Sequence, residues 1–222
     1  MISIIIVQYA SLTDQHDLGG KMKKFFHDYS YNIVKMFVNQ FAISIFGVSL
    51  TFATTSAHGE STGFDTLTVV VSLLSVLFYL FLIYTLAWEI GAKDKISVDV
   101  GKKPYRPHLG ILLSLFANIP NLIAAFFYFV ATLAGSEDMM FIVRLVATLI
   151  QGMYFGLITA VSLPIGGAYV QLNALWPTFF IMVIPAMLTS WLAYYLGHKN
   201  IRLFAFITDK PKDNGDAPKI KK

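Results

Sequence analysis

Five long apolar stretches, separated by short polar or charged ones, make up most of the chain. The first (about 36–57), the second (Leu67 to Trp88) and the third (Leu109 to Ala134) carry no charged residue. The fourth, about 139–163, carries one, Arg144, and the fifth, about 175–196, carries none. Each is long enough to cross a hydrocarbon core of ~30 Å at about 1.5 Å per residue. None shows the strict alternation of a membrane β-barrel strand. In hydrocarbon an unpaired backbone amide costs several kcal/mol, so a single spanning segment must be helical. The pattern therefore predicts an all-α fold, a polytopic integral membrane bundle of five hydrophobic helices within residues 36–196.

Two interruptions stand out within these stretches. Asn118-Ile119-Pro120-Asn121 breaks the third, because proline removes a helix hydrogen bond and kinks the chain. The flanking asparagines could satisfy the freed carbonyls, and the segment either crosses as a kinked helix or turns back as a re-entrant one. Pro164-Ile165-Gly166-Gly167 predicts a turn between the fourth and fifth segments.

The flanks differ from this core. Residues 1–21 have a short apolar start, then a polar stretch ending in two glycines. They read as a weakly ordered leader, upstream of a natural start at Met22. Residues 22–35 mix lysines with Phe25, Phe26, Tyr29 and Tyr31, which suits the headgroup layer. Residues 197–222 form a basic, partly disordered tail.

Basic residues set orientation in a membrane. Lys21, Lys23, Lys24 and Lys35 precede the first stretch, and the loop 89–108 holds Lys93, Lys95, Lys102, Lys103 and Arg106. The loops 58–66 and 135–138 carry only acidic charges, Glu60, Asp65, Glu137 and Asp138. The N-terminus and the 89–108 loop are thus expected in the cytoplasm. The tail, beginning with Lys199 and Arg202, conflicts with this if all five stretches cross, since it then lies outside. Kinked helices that still cross are the commoner case, which favours five crossings with the tail as an exception. A re-entrant third segment is the alternative. Trp88, Trp176 and Trp191 fall near stretch ends, where indoles prefer to sit. The ending Tyr194 to Lys199, followed by basic residues, is similar to the endings of small bacterial multi-pass proteins and implies a bacterial plasma membrane.

Composition agrees with lipid as solvent. The chain of 222 residues is 56% hydrophobic and only 14% charged, against roughly 25% charged in soluble domains. Its mean hydropathy is +0.63. The absence of cysteine excludes disulfides and thiolate chemistry. The net charge of +4 resides in loops and tails, which argues against nucleic acid as a partner. No histidine has metal-site spacing, and no phosphate-loop, dinucleotide or nucleophile-elbow motif occurs. The expectation is a non-enzyme without metal or cofactor.

Two residue sets remain as candidates. Arg144, Thr148, Gly152, Gly156 and Ala160 recur every four residues and would form one stripe on a continuous helix. Its Gly152-x-x-x-Gly156 is a close-packing face, suited to another membrane protein or a second copy, and Arg144 could pair with Glu137 or Glu89. The second set, Asn118, Asn121 and Gln151, could line a polar cavity, as broken helices do in transporters. Other amides, Asn39, Gln40, Gln171 and Asn173, would serve packing. The expected function is a non-enzymatic membrane component, an accessory or assembly partner. The alternative is a small-solute transporter, or the substrate-binding membrane subunit of one.

Overall fold

A computed structural model describes the backbone of residues 2–58 and 66–203, and their side chains apart from 2–18, 21, 57 and 58. Glu60 and Asp65 of the acidic loop, and the tail beyond Leu203, lie outside the described residues. Helix α1 (Ile2–His58) carries the first apolar stretch, its backbone helical from Ile2 onward. Helix α2 (Thr66–Asp99) is 34 residues long. It does not end at Trp88 but runs into what was expected to be loop, where the Lys93 ammonium pairs with Glu89 one turn back at 2.6 Å.

The third stretch is two helices, α3 (Leu109–Ala117) and α4 (Ile119–Ala134), bent by 58°. Asn118 sits at the break, and its Nδ2 donates at 2.8 Å to the Ser114 carbonyl, which also accepts the Asn118 amide. It does not reach the Phe116 carbonyl, whose helix donor Pro120 removes.

The fourth stretch is not one helix. Helix α5 (Glu137–Ile150) stops at Gln151, a 3₁₀ turn follows over Gly152–Tyr154, and helix α6 (Phe155–Ala160) leaves at 90°. The expected four-residue stripe from Arg144 to Ala160 is therefore broken. Glycine weakens a helix by about 1 kcal/mol relative to alanine, and the Ser44 hydroxyl of α1 donates to the Ile150 carbonyl at 2.5 Å. That bond satisfies the end of α5 and makes the stop cheap.

The chain is also not wholly helical. Strands β1 (Ser162–Ile165) and β2 (Ala168–Gln171) form an antiparallel hairpin. Its turn residues, Gly166 and Gly167, have φ of 59° and 86°, the mirror-image turn that glycine adopts without steric cost. Helices α7 (Trp176–Ile181) and α8 (Ile184–His198) follow, and Trp176–His198 counts as one apolar stretch of 23 residues. Among the described residues three helical stretches are long and apolar enough to cross a membrane, or up to five if each bent pair is one span.

Contacts fix which ends of these helices lie together. Tyr105, in the loop after α2, packs its ring on His198 at 4.2 Å. Trp88 Nε1 donates to the Ile201 carbonyl at 2.7 Å, and the Tyr84 hydroxyl accepts from the Leu203 amide at 3.2 Å. The far end of α7 meets α4, with Trp176 against Phe129 at 4.7 Å. Tyr128 of α4 also donates to the Ala174 carbonyl at 3.0 Å. So α7–α8 runs antiparallel to α3–α4, and the chain after α8 leaves at the lysine-rich end of the bundle.

The α5–α6 unit behaves differently. It starts beside the end of α4, reaches the level of Ser44, then climbs α1 in the direction of His58. Gly152 lies on the backbone of Ser44, Phe155 packs on Phe52 at 5.7 Å, and Gly156 faces Thr51, Thr68 and Ser72. It therefore enters and leaves at the same end, opposite the lysines.

The core holds Met36, Tyr79, Ile83, Leu109, Leu113, Met153, Phe179 and Tyr194, all fully buried. Phe52, Leu74, Leu77, Phe126, Leu133 and Leu188 are exposed on the outer surfaces, an inversion that suits contact with lipid.

Candidate functional site: a buried polar layer

Both helix breaks bring polar side chains into the same interior region. At the first, Asn121 Nδ2 donates to Asn118 Oδ1 at 2.7 Å, while Asn121 Oδ1 has no partner. Both residues are at most 2% exposed. At the second, Gln151 Nε2 donates to the Phe179 carbonyl at 3.0 Å, while its Oε1 is unpartnered. The Tyr79 hydroxyl of α2 lies near Asn118 without a well-formed hydrogen bond.

Neighbouring turns extend the layer. Ser72 accepts from the Leu157 amide of α6 at 3.0 Å and donates to the Met153 carbonyl of the 3₁₀ turn at 3.4 Å. Ser75, one turn before Tyr79, and Gln40, one turn before Ser44, are buried with unpartnered polar atoms. A buried polar atom left without a partner costs about 1–3 kcal/mol, and native interiors hold few of them. Here Gln40, Ser75, Tyr79, Asn121, Gln151 and Tyr154 each carry at least one. The layer offers carbonyl acceptors, an amide donor and hydroxyls that do either. No ionisable carboxylate, lysine or arginine enters it, and Asp94 is the one charged group among the buried described residues.

Asn118 and Asn121 bond to each other, whereas Gln151 bonds to the Phe179 carbonyl of α7 rather than to either asparagine. The other set disperses. Thr148, Gly152 and Gly156 are buried, whereas Arg144 and Ala160 are half-buried. Gly152 and Gly156 pack on α1 and α2 of the same chain, and so offer no free face. Arg144 turns toward the Tyr128 hydroxyl and pairs with neither Glu137 nor Glu89, the latter being held by Lys93.

Sequence patterning alone missed Ser75, Tyr79 and Tyr154. A signal existed on α2, where Ser72, Ser75 and Tyr79 share one face of an otherwise apolar run. It also missed Asp94, whose Oδ2 accepts from the Tyr29 hydroxyl at 2.8 Å and the Tyr194 hydroxyl at 3.2 Å. That triangle ties α1, α2 and α8 at the lysine-rich end. The chain matches no protein-family model, no curated protein and no solved structure, so its chemistry is argued from these residues alone.

Proposed function

We propose that the chain is a multi-pass plasma-membrane protein that conducts a small neutral polar solute through the layer around Asn118, Asn121 and Gln151. The proposal includes four crossings, by α1, α2, α3–α4 and α7–α8, with α5–α6 as a re-entrant hairpin from the outer side. N-terminus, 100–108 loop and tail then share the cytoplasm of a bacterial cell, which removes the conflict with the positive-inside rule. One observation carries the functional reading, the six buried side chains with unpartnered polar atoms, among them Asn121 and Gln151 at the two helix breaks. Discontinuous helices at mid-depth are the usual way to build a solute site in a membrane. Neutral amides and hydroxyls match a neutral hydrogen-bonding solute, and no charged side chain stands among them to balance an ion. The reading as an assembly partner loses its main support, since the chain's own helices fill the Gly152/Gly156 face.

The test is osmotic. Purified protein reconstituted in vesicles should let urea or glycerol equilibrate faster than protein-free vesicles do. Asn121→Leu and Gln151→Leu should each slow this by about tenfold, the worth of one lost hydrogen bond of about 1.5 kcal/mol, with thermal stability retained. Solute entry at the protein-free rate, with folded protein present, would end the proposal.

A further inference from the structure

We propose that the cleft at the lysine-rich end binds the phosphate of an anionic phospholipid. Four cationic side chains, Lys24, Lys102, Lys103 and Arg106, line it together with Asp28, Asp94, Tyr29 and Tyr194. The cavity itself is small, about 40 Å³. Both carboxylates are already engaged. Asp28 takes Lys103 at 3.0 Å, and Asp94 takes the two tyrosine hydroxyls. Lys103 is held further by the Tyr29 ring, 5.0 Å from its centroid. Lys24, Lys102 and Arg106 have no ion pair among the described residues. With four cations against two carboxylates, the cleft keeps a formal surplus of two positive charges.

Surroundings of the cleft favour a lipid over a free ion. Val98 and Pro104 line the cleft among the cationic groups, and Tyr105, between Pro104 and Arg106, is exposed. Apolar surface next to a phosphate-binding cluster accommodates the acyl chains joined to that phosphate. Trp88, three turns before Val100, marks the depth at which headgroups begin. A basic pocket between helices on the cytoplasmic side is the arrangement that recognises anionic headgroups.

A thermal-shift titration of the full-length protein in detergent tests this with three probes: phosphatidylglycerol, phosphatidylcholine and inorganic phosphate. Phosphatidylglycerol should raise the unfolding temperature, and phosphatidylcholine at the same mole fraction should not. The combined variant Lys24→Gln, Lys102→Gln, Arg106→Gln should melt like the parent without lipid, having lost no ion pair. Its apparent affinity for phosphatidylglycerol should fall roughly a hundredfold, from three headgroup contacts. The variant Lys24→Arg, Lys102→Arg should keep the response and guards against a general loss of fold. Equal shifts with both lipids, or an undiminished response in the triple variant, would refute the site. A full shift with inorganic phosphate alone would refute the lipid and leave a free-anion site. This inference is independent of solute passage and survives its failure.

Discussion

Replacing Gly91 by leucine is expected to destroy the folded bundle. A Cβ at this position would collide with the Tyr194 carbonyl and stand 3.0 Å from the His198 amide nitrogen. The obstacle is backbone, so no rotamer change relieves it. Gly197 on the facing helix has the reciprocal problem with the Trp88 carbonyl. The two glycines let α2 and α8 touch main chain to main chain. Overpacking a tight core costs about 1–3 kcal/mol where side chains can shift, and more here where they cannot. Whole domains are stable by about 5–15 kcal/mol. Gly91→Leu should therefore yield aggregate on size exclusion in detergent, and even Gly91→Ala should lower the melting temperature. Gly20→Ala, with open space around its Cβ, should leave both readouts at the parent's level or slightly improved. A monodisperse Gly91→Leu protein melting with the parent would show that the α2–α8 contact is wrong.

The second large effect is all-or-none and concerns sidedness. The chain contains no cysteine, so an introduced one is the sole target for a membrane-impermeant maleimide. Ser136→Cys and Tyr169→Cys should label on intact cells, whereas Lys102→Cys and Lys199→Cys should label only after permeabilisation. All four positions are solvent-exposed. Five full crossings would reverse two of these results, protecting position 169 and exposing position 199. The expectation rests on geometry and charge together. His198 lies on Tyr105, and the Arg202 guanidinium sits 5.0 Å from the Trp88 ring centroid, so the start of the tail is tied to the lysine-rich loop. Placing seven tail cations outside would oppose the strongest known bias in membrane insertion.

Much of the architecture was legible because hydrocarbon imposes long uncharged runs. The break near Pro120 was legible too, since a missing amide is a local property. The break at Gln151 was not. Glycine, glutamine and serine occur inside straight membrane helices as well, and this stop depends on a Ser44 hydroxyl 106 residues away. With the helix turned there, positions four residues apart no longer share a face, which is why the Arg144-to-Ala160 stripe dissolved. The double glycine at 166–167 announced a turn, but β1 and β2 are four residues each and leave little alternation to detect. For the polar layer the amides were visible as residue types. Their lack of partners is a tertiary property that no window of sequence contains. Asp94 was hidden between Lys93 and Lys95, where a charge run reads as a solvated surface.

A layer holding only uncharged groups has an electrical consequence. An elementary charge crossing the bilayer couples to the potential by about 2.3 kcal/mol per 100 mV. Neither the proposed cargo nor any side chain in the layer around Tyr79 carries one. Flux should therefore stay constant when vesicles are polarised with a potassium gradient and valinomycin, with the direction of movement following the solute's own concentration difference.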